Sequence, residues 1–214
     1  MIFNIFLILC IMAVVVLIVG TFLKTGVSPM PSTLKACSAM LASAEIEGQG
    51  DIVDLGSGWG TLVAYFAGKY PERRVIGYEM SYVPYIFSLA LRKILGRKNI
   101  FLYHRDYLEA DLSGAVLLVC YLSPDSMHLL REKLEEDEAG EVTIISNTFA
   151  LPLCQPAGVV RLNNIYRTPL YIYRFPDQPT ATECRTKDLN SAIYFERMRK
   201  NQTHIQALNG DNNE

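Results

Sequence analysis

Ten residues, Asp51-Ile52-Val53-Asp54-Leu55-Gly56-Ser57-Gly58-Trp59-Gly60, limit what this chain can become more than any other stretch. An apolar run that enters a glycine-rich turn and leaves it in a helical pattern reads as strand, turn and helix, the opening unit of an α/β sheet. Gly56, Gly58 and Gly60 permit positive φ and let the backbone approach a ligand closely. Their spacing is G-x-G-x-G, and Thr61 and Leu62 supply no third glycine at the place a dinucleotide-binding turn requires. Such a turn offers free N–H groups to a pyrophosphate, and a carboxylate two places before the first glycine, Asp54, repels that anion. The same carboxylate favours a cation. S-adenosylmethionine (SAM), which carries an ammonium and a sulfonium, fits where a pyrophosphate does not, with Asp54, Gly56, Ser57, Gly58 and Gly60 as its candidate cradle.

At 214 residues the chain can hold one domain of ordinary size plus an appendage. Lys+Arg 20 stand against Asp+Glu 22, so no broad basic footprint for nucleic acid is expected. The five cysteines, Cys10, Cys37, Cys120, Cys154 and Cys184, are odd in number and never spaced C-x-x-C. That pattern argues for a reducing compartment and against a disulfide framework or a zinc site. His104, His128 and His204 are equally dispersed, and no metal centre is expected.

Residues 2–23 are almost wholly apolar, with Asn4 and Thr21 the clearly polar side chains. A helix rising about 1.5 Å per residue would carry such a run across roughly 30 Å, the hydrocarbon thickness of a bilayer. A cleaved signal peptide would want basic residues before the run, a shorter core and a small-residue cleavage site. Here the run closes on Thr21-Phe22-Leu23-Lys24-Thr25 and is preceded by no Lys or Arg. The expectation is a retained single-pass transmembrane helix over 1–24. Lys24 and Lys35 follow it, which orients the following domain to the cytoplasmic (or matrix) side.

The remainder alternates between strand and helix, the signature of a parallel sheet covered on both faces. Ser32 is a helix N-cap candidate after Pro29-Met30-Pro31, with a helix over 33–44. Strands are expected over 51–56, 74–80, 100–106, 115–122 and 142–149, and helices over 61–70 and 83–95. A further helix has Pro124 in its first turn and runs through 127–136. The pattern then changes. Residues 158–165 and 168–175 are two strands joined only by Tyr166-Arg167, a hairpin and not a helical crossover. Past Pro176 the chain is polar, with a short helix expected over 189–198 and disorder from 202 onward.

In open α/β sheets the ligand lies outside the carboxyl ends of the strands. The second strand ends in Gly77-Tyr78-Glu79, and Glu79 is placed to accept from both ribose hydroxyls of an adenosyl group. The third ends in His104-Arg105-Asp106, where Asp106 reads equally as an acceptor for the adenine amino group or as surface charge. The fourth ends in Cys120-Tyr121-Leu122-Ser123-Pro124, beside the transferable methyl. Tyr121 there reads as an acceptor-side residue or as a core aromatic.

Asp54-Leu55-Gly56-Ser57-Gly58 with Gly60, followed by Gly77-Tyr78-Glu79, resembles the class I SAM-dependent methyltransferases. A terminal antiparallel hairpin on a parallel sheet is similar too, since the seventh strand of that fold runs antiparallel. Three further segments resemble a narrower group, the small membrane-associated protein-lysine methyltransferases of the ATP synthase c-subunit and adenine nucleotide translocase type. They are Pro29-Met30-Pro31-Ser32, Tyr121-Leu122-Ser123-Pro124 and Ser146-Asn147-Thr148-Phe149-Ala150-Leu151-Pro152. The resemblance covers roughly residues 27–175. Trp59 departs from it, standing where many relatives carry an acid, and the tail after Pro176 has no counterpart in it.

That resemblance implies a seven-stranded Rossmann-like methyltransferase sheet, parallel with one antiparallel strand, over residues 27–176. It would follow an anchor over 1–24 and precede a polar tail over 177–214. It implies SAM as cofactor, with Pro31 closing over it, and Tyr121 and Asn147 orienting the acceptor. The expected activity is N-methylation of a lysine on a protein partner at a membrane. Two other readings remain open: methylation of a small molecule or lipid at the bilayer surface, and a catalytically inactive methyltransferase fold serving as a binding or assembly factor.

Overall fold

The structure, a computed structural model, describes Met12 and residues 33–46, 48–137 and 140–176. Helix α1 (Leu34–Ala42) precedes β1 (Asp51–Leu55), after which α2 (Thr61–Lys69), β2 (Val75–Tyr78), α3 (Tyr82–Leu95) and β3 (Ile100–Tyr103) alternate. A single 3-10 turn (Tyr107–Glu109), β4 (Ala115–Cys120), α4 (Pro124–Glu136) and β5 (Val142–Asn147) follow, then β6 (Gly158–Arg161) and β7 (Pro169–Phe175). The described strands form one seven-stranded sheet in the order β3-β2-β1-β4-β5-β7-β6. Strands β1 to β5 pair in parallel, and β7 runs antiparallel to both of its neighbours. The sheet is the one expected, with β7 as its antiparallel strand.

Central β4 reads Ala-Val-Leu-Leu-Val-Cys, an unbroken apolar run that suits a strand covered on both faces. On one face Val53, Leu55, Ile76, Leu118, Cys120 and Ile144 meet Met127, Leu130 and Leu134 of α4. Those three side chains recur at helical spacing, and burying each contributes about 1.5–3 kcal/mol. On the other face Ile52, Val75, Leu117, Val119 and Ile145 meet Cys37 and Met40 of α1 and Leu62, Val63 and Phe66 of α2. Asn99 ties the rear of this layer, its amide donating to the carbonyls of Ala67, Tyr70 and Arg73. Ala67 lies in the last turn of α2, where carbonyls lack an intrahelical donor, while Tyr70 O also accepts from Arg73 N–H in the turn that follows.

Several boundaries are shorter than expected, each for a local reason. The N-cap of α1 is Thr33, whose hydroxyl accepts from Ala36 N–H, one residue beyond the expected Ser32. Strand β3 stops at Tyr103 because Asp106 caps the 3-10 turn, accepting from Leu108 N–H at 3.0 Å. Strand β5 stops at Asn147 because Thr148 takes φ 74°. The hairpin connection spans 162–168 rather than two residues. Asn164 closes it, accepting from Thr168 N–H and donating to its hydroxyl at 2.9 Å.

No helix among the described residues is long and apolar enough to cross a membrane. The transmembrane helix expected over 1–24 therefore has no support in the described structure; apart from Met12 it lies outside the described residues, as do Pro31 and the whole tail over 177–214.

Candidate active site

Strand register brings the expected residues to one level. Tyr78, Leu55, Cys120 and Ser146 are successive partners across β2, β1, β4 and β5. The residues one step further along those parallel strands are Glu79, Gly56, Tyr121 and Asn147. Four residues far apart in sequence thus line the carboxyl edge of the sheet. The sheet reverses its winding between β1 and β4, which is where open α/β sheets hold ligands.

The glycine turn is fixed from β2. Glu79, 9 % exposed, accepts from Gly58 N–H through Oε2 at 2.8 Å and from Ser81 N–H through Oε1 at 2.6 Å. Ser57 N–H donates to Tyr78 O at 2.8 Å. A carboxylate has about four lone-pair sites, so Glu79 keeps acceptor capacity on the side away from the turn. Gly56, Gly58 and Gly60 have φ of 74°, 52° and 78°, values that favour glycine.

These glycines do different work. A Cβ at Gly58 would meet nothing nearer than the Gly56 carbonyl at 4.0 Å, so the turn is open there. At Gly60 a Cβ would stand 2.8 Å from Ser88 Cβ, so this glycine lets α3 pack against the start of α2. Gly77 has a structural part that sequence reasoning left unassigned. A Cβ there would lie 2.8 Å from Ser57 Oγ and 2.9 Å from Val63 Cγ2, so only glycine lets the turn settle on β2.

Asp54 is 3 % exposed in a strand whose other inner residues are apolar. Burial pushes its carboxyl up to about 8, the charge of Glu79 adds to this, and a backbone hydrogen bond from Val63 opposes it. Its Oδ2 is buried without a hydrogen-bond partner, and so is Ser57 Oγ. Orphaned buried oxygens cost about 1–3 kcal/mol each. Two carboxyl groups beside an open glycine turn, one with an unsatisfied oxygen, make a site suited to a cationic ligand that can also donate hydrogen bonds.

On the other side, Asn147 is 5 % exposed and its Oδ1 accepts from the Thr148 hydroxyl at 3.2 Å. The positive φ of Thr148 is unusual for a β-branched residue and marks a constrained turn at the site. Thr148 N–H donates to Pro169 O at 2.9 Å, and Ser146 Oγ donates to Phe149 O at 2.6 Å. No sequence pattern pointed to that strain. Tyr121 is half-buried, and its neighbour Leu122 lies across from Gly56, whose Cβ would be 3.1 Å from Leu122 Cδ2.

Asp106 stands away from the end of β3, with one oxygen engaged on Leu108 N–H and the other outside that bond. His104, unassigned from sequence, follows β3 directly. Its ring lies 5.4 Å from that of Tyr82 and 5.2 Å from that of Tyr85, with Nε2 2.8 Å from Met80 O. It therefore braces the segment after Glu79. Among the described residues no group of three or more His, Cys, Asp or Glu is placed to hold a metal.

Residues 54–158 match the family model described as the ANTKMT methyltransferase domain. The chain is 33% identical over 116 residues to adenine nucleotide translocase lysine N-methyltransferase of Mus musculus, covering 52% of this chain and 48% of that protein. It thus spans about half the length of that relative. It is 24% identical over 149 residues to a protein-lysine N-methyltransferase of Saccharolobus islandicus, covering 67% of this chain and 91% of that one. The fold superposes with a TM-score of 0.63 and 24% identity on an RNA methyltransferase from Salinibacter ruber in complex with S-adenosyl-L-homocysteine, over 71% of this chain and 97% of that chain. Joined to the sheet order and the glycine turn, these likenesses show a methyltransferase fold, in which residues 54–158 match the ANTKMT methyltransferase domain.

Proposed function

We propose that this chain is a membrane-anchored SAM-dependent methyltransferase that N-methylates a lysine of a protein partner. The observation that carries the reading is the buried Asp54, with its unpartnered Oδ2, beside an open glycine turn held by Glu79. Those residues fit SAM: Asp54 and Ser57 would hold its amino-acid ammonium, Gly56 and Gly58 would allow close backbone approach, and Glu79 would take the ribose hydroxyls. Asp106 keeps one oxygen for the adenine amino group. The names of the mouse and archaeal relatives support a lysine of a protein as acceptor.

When bound, SAM supplies a methyl on a sulfonium, transferred in line to the acceptor with a neutral leaving group. The protein's task is to hold donor and acceptor in line and to exclude water. A lysine acceptor must first lose its proton, from a reference pKa of about 10.4. Desolvation against Tyr121 and Leu122 lowers that value. Tyr121 and Asn147, adjacent in register, orient the amine toward the methyl.

The apolar run over 2–23 supports a single-pass anchor, with the catalytic domain on the cytoplasmic or matrix side and a membrane protein as partner. Calorimetric titration of SAM into the full chain tests the cofactor assignment. Saturable binding that Glu79→Gln weakens supports it, and absence of heat at high micromolar SAM contradicts it.

A further inference from the structure

Beyond the ring contacts of Tyr82 with His104 and of Phe87 with Trp59, helix α3 carries an outer apolar face that neither the fold nor the catalytic reading uses. Tyr82, Ile86, Ala90 and Ile94 recur every fourth residue, so they form one ridge along the helix. They point outward: Tyr82 is 61% exposed, Ile86 46%, Ile94 82%, and Phe87 beside the ridge 55%. The buried residues of this helix are only Pro84 and Ser88. A surface helix of a soluble protein shows the reverse pattern, apolar inward and polar outward.

Charge distinguishes this face further. Residues 81–99 contain Arg92, Lys93, Arg97 and Lys98 and no Asp or Glu, in a chain whose formal net charge is -2. Arg92 and Lys93 also suit the helix C-terminus, and Arg97 donates to Ala64 O. Helix polarity accounts for basic residues in the last turn. It does not account for the large apolar side chains beside them, nor for the absence of any acid over the whole segment. An exposed apolar ridge rimmed by cations is the pattern of a helix lying in the interface of a bilayer with anionic headgroups.

We propose that the outer face of α3 docks on an anionic membrane surface, with the apolar ridge entering the interface and Lys93 and Lys98 meeting the headgroups. Charge complementarity commits the face to lipid rather than to a second copy of this chain, whose identical basic rim would face itself across a two-fold axis. Docking has a consequence for the site. Helix α3 begins three residues after Glu79, Ser88 packs on Gly60, and Phe87 meets Trp59 of the glycine turn edge-on at 5.1 Å. A docked α3 therefore sets the cofactor turn at a fixed height above the bilayer. The proposal is independent of the anchor over 1–24, which adds tethering but not orientation.

Trp59, the single tryptophan of the chain, reports on this face without labelling. The full chain is reconstituted in bilayers of phosphatidylcholine, alone or mixed with phosphatidylglycerol, with brominated acyl chains as quenchers. Expected is about twofold stronger quenching of Trp59 in the anionic bilayer, falling to the neutral value at high salt, since screening shortens charge attraction. Ile94→Glu and the double change Lys93→Glu with Lys98→Glu should each give that same loss while SAM titration is unchanged. Quenching that is equal in both bilayers, or that survives these substitutions, overturns the proposal. So does a dimer, measured by sedimentation, that Ile94→Glu dissociates, because the face would then belong to a second copy. Carbonate extraction of the full chain reads the anchor separately, so loss of anchoring and loss of docking are distinguishable.

Discussion

Glu79 accepts a 2.8 Å hydrogen bond from the backbone N–H of Gly58, twenty-one residues earlier in the chain, and so joins the end of β2 to the glycine turn after β1. One carboxylate thereby shapes the turn and remains available to a ligand. Glu79→Gln keeps the size but removes the charge from both backbone contacts. Hydrogen bonds to charged groups contribute about 1.5–3 kcal/mol, so SAM affinity should fall roughly 10- to 100-fold. Isothermal titration measures this, and an unchanged affinity would remove Glu79 from the ribose assignment.

Asp54 links cofactor binding to pH. Its carboxyl is raised from an ordinary 3.8 to about 8 in the folded protein. A raised acid binds its proton more tightly when folded, so the cofactor-free protein should lose stability as pH climbs from about 4 to about 8. Above that window the loss is complete. Asp54→Asn should flatten this dependence and raise the melting temperature by several degrees at pH 8, read by thermal unfolding across the range.

The same shift predicts proton release on binding. At pH 7 Asp54 is largely protonated without ligand, and a cation beside it favours the carboxylate. Titrations of SAM in buffers of different ionisation enthalpy should show release of up to about one proton in the native protein. Asp54→Asn should show none and should bind at least tenfold more weakly. Equal proton release in both proteins would show that another group titrates.

Gly77 should tolerate no side chain. Gly77→Ala places a Cβ 2.8 Å from Ser57 Oγ and 2.9 Å from Val63 Cγ2, an overpacking that costs about 1–3 kcal/mol. That corresponds to a melting temperature lower by roughly 2–10 °C for a domain of this size, together with weaker SAM binding as the turn shifts. Gly114→Ala is the control, because a Cβ there meets nothing within 4 Å. Thermal melts of the two variants decide it.

Tyr121 and Asn147 are assigned to the acceptor and not to the cofactor. Tyr121→Phe and Asn147→Ala should each lower turnover by about 10- to 100-fold, as loss of one orienting contact does. SAM affinity should stay within threefold. Full turnover in both variants would end the assignment, and equal loss of SAM affinity would move these residues to the cofactor side.

Much of this site was readable because it is local. Asp54 through Gly60 and Gly77 through Glu79 each lie within one strand and its turn, so pattern and chemistry coincide in consecutive residues. Bringing Glu79, Gly56, Tyr121 and Asn147 to one level is different. It depends on parallel register across four strands, which no single segment encodes. The boundary errors have side-chain causes. Asp106 looked like a continuation of β3 but turns the chain by capping Leu108, and Asn164 builds a longer loop where a two-residue hairpin connection was expected. The parts of Gly77 and Thr148 were hidden for a related reason. One is defined by what its missing side chain would strike across the sheet, the other by a backbone angle that composition disfavours. Helix α3 was legible as a helix ending at Gly96, but the direction its apolar ridge faces depends on packing between segments, and the structure turns it outward.

The proposed reaction is transfer of a methyl from SAM to a lysine of a membrane protein. Its most direct measurement supplies SAM with a deuterated methyl to membranes containing the full chain or its Glu79→Gln variant. Mass spectrometry then follows peptides and lipids separately. Label is expected on a lysine side chain of a membrane protein with the native chain, and should be lost with the variant. Label confined to lipid or small molecules, or no label above the variant, would contradict it.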